Sequence, residues 1–210
     1  MARQNRIVLW EVDTQVDFML PHGKLYVPGA EKLIPNINRL VDCARSGNAL
    51  LLSSGCHHVE DDPEFQDFKP HCIRGTEGAK FIPEALAHAI AQVPNDPRHR
   101  LPADLLSHHQ ILFEKQTLDV FKNTHTAPVV DALPAEAEFF VFGVVTEHCV
   151  RCAGKGLLER GRKVSVITDA IETLDAAVGR KTIEELSGYG AKLISTQEAV
   201  AKLHSASLHA

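Results

Sequence analysis

Six short apolar runs, most of them followed by a segment with helical spacing, set the strongest constraint on what this chain can fold into. They are Arg6–Asp13, Ala49–Ser53, Gln110–Lys115, Glu138–Gly143, Lys163–Asp169 and Ala191–Ser195. Runs this continuous, with few polar residues interleaved, belong to strands buried on both faces. Helical spacing is read in Ala30–Ser46, Ala127–Leu133, Glu147–Arg160, Ala176–Tyr189 and Thr196–His204. Gly47, Gly161 and Gly190 stand where the first, third and fourth of these should stop, and Thr196 is the expected N-cap of the last. Strands alternating with helices predict an α/β fold, a doubly wound six-stranded and mostly parallel sheet with helices on both faces.

From Ser54 to about His109 the pattern weakens. Pro63, Pro70, Pro83, Pro94, Pro97 and Pro102 interrupt it, and only Glu84–Val93 reads as a short helix. A stretch this long after the second strand is expected to act as a lid-like insertion. The 210 residues contain no linker, low-complexity tract or repeat, so residues 1–210 are read as a single domain.

Composition narrows the function. A net charge of -5 argues against a nucleic-acid protein held by phosphate contacts. No apolar run approaches the roughly 20 residues that span a bilayer, and the N-terminus lacks the apolar stretch of a secretory signal, so no membrane partner and a cytoplasmic setting are expected. Five cysteines without framework spacing suit free thiols in a reducing compartment. Twelve histidines, several of them clustered, raise the question of a metal.

In parallel sheets the ligand crevice lies beyond the carboxyl ends of the strands. Asp13 and Lys115 end the first and third runs, and Cys149 follows the turn after the fourth. An acid, an amine and a thiol are therefore expected to converge. A thiol near a helix N-terminus is favoured as thiolate, and the same helix start can receive an oxyanion. Asp13 can carry the proton that hydrolysis of an amide must take from sulfur and give to the leaving amine, while Lys115 stabilises both anions. Cys149 and Cys152 also read as Cys-x-x-Cys, a redox motif, but in thioredoxin-like folds that motif follows the first strand of its unit; here it follows the fourth, and Cys152 is expected to face the core. Asp17 is expected to cap the loop carrying Gln15.

Asp13-Thr-Gln15-Val-Asp17-Phe18, Pro70-His71-Cys72-Ile-Arg-Gly75-Thr76-Glu-Gly78, Lys115, Gly143-Val-Val-Thr146-Glu-His-Cys149-Val150 and Val166-Ile-Thr-Asp169-Ala170 resemble, in order, the signatures of the isochorismatase-like cysteine hydrolases, most closely the nicotinamidases. The resemblance implies a catalytic triad of Asp13, Lys115 and Cys149, a cis peptide between Val144 and Val145, and an oxyanion site at the N–H groups of Val145 and Cys149. It also implies a homo-oligomer and a small amide substrate, with ureido or carbamoyl compounds as alternatives. Vinyl-ether hydrolysis of the isochorismatase type is disfavoured by Cys149, and a catalytically silent relative that binds a ligand or partner is the competing class. Phe18, Phe68 and His148 are the expected substrate contacts; His148 and Arg151 can meet an anionic group or face solvent. Members with a divalent zinc, iron or manganese ion hold it through an Asp-x-His pair, a later acid or histidine, and the histidine of Pro-x-His-Cys. His57 or His58, Glu64 and His71 match that pattern here, with His57, Glu64 and His71 taken as the set. Gly55 or Cys56 stands where the aspartate would be.

Overall fold

The computed structural model describes residues 7–207, so Arg6, at the head of the first expected strand, lies outside them. In chain order the elements are β1 (Ile7–Val12), α1 (Val16–Met19), α2 (Ile34–Arg45), β2 (Leu50–Cys56), β3 (Ile90–Val93), β4 (Gln110–Lys115), α3 (Thr126–Asp131), β5 (Glu138–Val144), α4 (Arg151–Glu159), β6 (Lys163–Glu172), α5 (Ala176–Gly188), β7 (Lys192–Ile194) and α6 (Thr196–Ser207), joined by turns and short 3-10 segments. Among these residues no helix is long and apolar enough to cross a membrane.

The strands form one parallel sheet in the order β3-β4-β2-β1-β5-β6-β7. That makes seven strands where six were expected. Glu84–Val93 is not a helix: Pro83–Ala85 make a 3-10 turn, Ala89 takes a φ of 48°, and Ile90–Val93 pair with β4 at the sheet edge. Ile90 and Gln92 are exposed while Ala91 and Val93 are buried, the alternation of a strand covered on one face. Four residues of this pattern leave too little apolar run to register among the prolines.

Side-chain alternation along β1 divides the core. Val8, Trp10 and Val12 pack with Phe113, Phe139, Val130 of α3, Leu157 of α4 and Leu186 of α5. Leu9 packs on the opposite face with Leu51, Phe140, Ile37 and Leu40 of α2, and Leu203 of α6. Helices thus cover both faces, which is why the central runs carry almost no polar residues. At roughly 1.5–3 kcal/mol for each fully buried large apolar side chain, these two layers dominate the folding energy.

Two local expectations change. Ser195 rather than Thr196 caps α6: its hydroxyl accepts the Glu198 N–H at 3.3 Å and its own N–H donates to the Glu198 carboxylate at 2.7 Å. Thr196 instead donates its N–H and hydroxyl to Asp169 Oδ1. The helix expected from Glu147 begins as a π-turn, Thr146–Val150, and becomes α4 only at Arg151. Gly143, just before that turn, has a φ of 113°, and a Cβ there would lie 2.0 Å from the Val12 carbonyl oxygen. Only glycine lets β5 end this close to β1.

Candidate active site

The sheet divides at β1, with β2, β4 and β3 to one side and β5, β6 and β7 to the other. Adjacent crossovers leaving in opposite directions open a crevice at the strand ends. Asp13 follows β1 with a φ of 51°, its N–H bonded to the Ser54 carbonyl at 2.9 Å. Lys115 ends β4 in register with Cys56, which ends β2. Cys149 lies in the π-turn after β5, and the Val144–Val145 peptide before it is cis. Lys115 Nζ is 2.9 Å from Asp13 Oδ2, 3.4 Å from Cys149 Sγ and 2.9 Å from Cys56 Sγ. All four side chains are buried.

Burial opposes the charge of Lys115, but the Asp13 carboxylate and the Cys149 and Cys56 sulfurs outweigh it and hold the ammonium well above the usual lysine range. Cys149 moves the other way from the sequence expectation. Burial first, then the Asp13 carboxylate, push its thiol well above the ordinary range against the pull of Lys115. Asp13 Oδ1 is buried without a hydrogen-bond partner, so an acceptor remains free beside the thiol. The arrangement sets a buried thiol beside a buried carboxyl and an ammonium.

The pocket over Cys149 is walled by Phe18, Phe68, Leu118 and Leu174; Glu64, His71, Val145 and His148 also line it. Phe18 meets His71 edge-on at 5.1 Å between ring centroids, and Phe68 meets His148 at 5.6 Å. Phe18, Phe68 and His148 therefore gather where the sequence placed substrate contacts. Arg151 does not join them: its guanidinium forks onto Glu185 with two contacts of 2.6 Å. It lines a separate surface pocket with Cys152, which is half-buried there rather than turned into the core.

A second cluster adjoins the triad. Cys56, His58 and His71 each offer one donor atom within 4.8 Å of the others. His71 donates Nδ1–H to the Lys69 carbonyl at 2.8 Å, which leaves Nε2 as its free lone pair. His58 Nδ1 lies 3.0 Å from Asp62 Oδ2, and its Nε2 is buried with no partner. Burial holds both imidazoles below the usual histidine range. Of the set His57, Glu64 and His71, the structure keeps His71 in the cluster and replaces His57 by its neighbour. His57 lines a different pocket with Thr76 and Phe81, because residues one apart at a strand end point opposite ways whereas Cys56 and His58, two apart, share a side. Glu64 lines the triad pocket outside the three-donor cluster, and burial pushes its carboxyl up to about 7.

Both clusters are fastened from beneath. The Gln15 amide donates to the Cys56 and Ala79 carbonyls and accepts the Cys56 N–H, each at 2.7 Å. Asp17 accepts the Cys72 N–H at 2.7 Å and the Lys24 N–H at 3.0 Å, so it pins the segment after His71 rather than capping the loop of Gln15. Two residues have no role of their own in the sequence reading, although Cys56 stands where the aspartate would be. Cys56 was visible in the Cys-x-His spacing at a strand end. Glu147 carried no sequence signal: its carboxylate accepts the Leu174 and Asp175 N–H groups at 2.9 Å each and the Thr173 hydroxyl at 2.5 Å, holding the loop that brings Leu174 to the pocket.

Comparisons with known proteins agree with this architecture. The family model for the Isochorismatase domain matches residues 91–198, a little over half of the chain. The nicotinamidase of Escherichia coli (strain K12) is 29% identical, the match covering 87% of this chain and 91% of that protein. The zinc complex of a pyrazinamidase from Pyrococcus horikoshii superposes with a TM-score of 0.70 at 23% identity, covering 90% of this chain and 99% of the other. An N-carbamoylsarcosine amidase from Thermoplasma acidophilum gives a TM-score of 0.67 at 21% identity, with 90% and 96% covered. With the strand order, the cysteine after β5 and the family match in agreement, the chain belongs to the isochorismatase family.

Proposed function

We propose that this member is a cysteine hydrolase that cleaves a small amide, releasing ammonia through a thioester on Cys149, with nicotinamide-like aryl amides as its substrate class. The observation that carries the proposal is Lys115 Nζ seated between Asp13 Oδ2 at 2.9 Å and Cys149 Sγ at 3.4 Å beneath an aromatic-walled pocket. Asp13 takes the thiol proton as sulfur attacks the amide carbonyl, and Lys115 keeps both anions paired. The N–H groups of Val145 and Cys149 receive the oxyanion. The proton then passes from Asp13 to the amide nitrogen, the C–N bond breaks and ammonia leaves. Water, deprotonated by Asp13, hydrolyses the thioester; sulfur recovers a proton and the carboxylic acid departs. Phe18 and Phe68 flank a flat ring, and His148 closes the side against Phe68.

The donor set beside the triad fits a divalent ion, since His58 Nε2 is buried without a partner and His71 turns a lone pair toward the same cluster. Cys56, His58 and His71 would hold it, with Glu64 offering an oxygen from the same pocket. A bound metal would supply a Lewis-acidic contact for a polar atom of the substrate. The likeness to both a nicotinamidase and a carbamoyl amidase supports ureido compounds as the second substrate class. Ammonia release from nicotinamide, pyrazinamide and N-carbamoyl amino acids, measured on the wild type and Cys149→Ala, tests the reading. Turnover of one group, abolished by Cys149→Ala, is expected. Ammonia release that is equal in the two proteins, or absent in both across the panel, rejects it in favour of a silent binding protein.

A further inference from the structure

We propose that Cys56 is a thiolate metal ligand, so that this centre is a sulfur-bearing site selective for zinc over manganese, and that its sulfur joins the metal centre to the triad through Lys115. The inference rests on the metal reading above and goes beyond it in naming the ligand chemistry. Cys56 Sγ lies in the three-donor cluster and also accepts a hydrogen bond from Lys115 Nζ at 2.9 Å. Its position is fixed, because Gln15 holds the Cys56 N–H and carbonyl together. The two imidazoles meet edge-on at 4.8 Å, one backed by Asp62 and the other by the Lys69 carbonyl, the outer contacts that orient ligating histidines.

Two neutral imidazoles and one thiolate form a borderline-soft set that suits zinc, whereas manganese favours carboxylate and carbonyl oxygens. Binding breaks the S–H bond and forms a metal–sulfur bond; the proton goes to solvent and nothing is oxidised or reduced. The Lys115 ammonium then donates to a ligating sulfur on one side and faces Cys149 on the other. Lys115 thus lies outside the metal's ligand set while it serves the nucleophile.

X-ray absorption on the zinc-loaded wild type reads the ligands without any variant. One sulfur at about 2.3 Å beside nitrogen and oxygen scatterers at about 2.0–2.1 Å is expected. In parallel, the cobalt(II)-loaded protein should show a near-ultraviolet sulfur-to-cobalt charge-transfer band, retained in Cys149→Ser and lost in Cys56→Asp. Cys56→Asp should still bind zinc, with the sulfur scatterer replaced by oxygen at about 2.0–2.2 Å, and its preference for zinc over manganese in competition dialysis should narrow relative to the wild type. Metal bound with no sulfur scatterer, or a charge-transfer band that survives Cys56→Asp and disappears in Cys149→Ser, overturns this inference and leaves the metal reading standing. Failure of the wild type to retain zinc or cobalt at all removes the metal reading itself.

Discussion

The triad and the Cys56–His58–His71 cluster meet at Lys115, yet they are built in opposite ways. Asp13 and Lys115 come from the carboxyl ends of two different strands, and Cys149 from the turn after a third; their charges answer each other inside the protein, with an ion pair at 2.9 Å between fully buried partners. The cluster draws on one strand end and the loop after it, and leaves a buried imidazole nitrogen without a protein partner. A buried polar atom left unpaired costs about 1–3 kcal/mol, a cost that a ligand atom bound there would offset. In the first group the open atom, Asp13 Oδ1, has the Cys149 thiol to receive a proton from, whereas in the second His58 Nε2 has no protein partner.

The largest expected effects fall on the triad. Cys149→Ala should abolish turnover while leaving metal content unchanged. Asp13→Asn should lower kcat by about 10²–10⁴, the range for loss of a general base. The same substitution should move Cys149 alkylation by iodoacetamide to lower pH, because it removes a carboxylate that raises the thiol while Lys115 remains. Rates of alkylation against pH, followed by mass spectrometry of the Cys149 peptide, check this. A profile that stays in place or moves upward breaks the assignment of Asp13 as the base.

Glu11 offers the internal control, a buried carboxyl on the same strand that makes no ion pair among the described residues. It accepts the Ser53 hydroxyl at 2.8 Å, and burial raises its pKa from 4.5 to about 8. The folded value lies above the unfolded one, so the stability it contributes is full below pH 4.5 and is lost as pH rises toward 8. The shift of 3.5 units, 8 minus 4.5, corresponds to at most about 5 kcal/mol at about 1.36 kcal/mol per unit. Glu11→Gln keeps an acceptor for Ser53 and should gain up to that amount over the wild type between pH 4.5 and 8, measured by urea unfolding at several pH values. Parallel wild-type and variant curves would mean that a carboxyl in this sheet ionises without a facing ammonium, and that the Asp13–Lys115 pair is less special than its geometry implies.

The contrast between the two groups also explains what could be read from the sequence. Apolar runs that end on a charged residue expose the crevice of a parallel sheet directly, so Asp13 and Lys115 could be placed before any coordinates. The metal-side residues depend on which way a loop turns, so His57 and His58 were indistinguishable until the alternation past Cys56 was seen. In the sequence β3 reads as the end of a short helix, Glu84–Val93, because four residues with one covered face carry no continuous apolar run. The raised Cys149 thiol was hidden because burial belongs to the assembled fold, whereas a helix start can be guessed locally.

The Cys56–His58–His71 cluster predicts an effect of intermediate size. Zinc at about 100 times its dissociation constant should stabilise the wild type by about 2.7 kcal/mol, and His71→Ala should lose that gain without changing the apo protein's Asp13–Lys115 pair. Thermal unfolding with and without zinc or a chelator measures it. Equal stabilisation of His71→Ala would place the ion elsewhere.

The smallest effect belongs to the rim that spans both groups. Glu147 sits two residues before Cys149, and its carboxylate gathers the Thr173 hydroxyl and the Leu174 and Asp175 N–H groups. Leu174 is 45% exposed yet lines the pocket, so its place depends on these contacts more than on packing. Glu147→Gln keeps one acceptor oxygen and puts an NH2 where the other stood, which cannot accept. The loop should loosen while the buried triad keeps its geometry. KM should then rise about threefold to tenfold, equivalent to roughly 0.6–1.4 kcal/mol, with kcat nearly unchanged. Steady-state kinetics separate the two constants. A fall in kcat at constant KM would instead show that Glu147 acts through the π-turn on Cys149, and would tie the rim to the nucleophile rather than to the substrate.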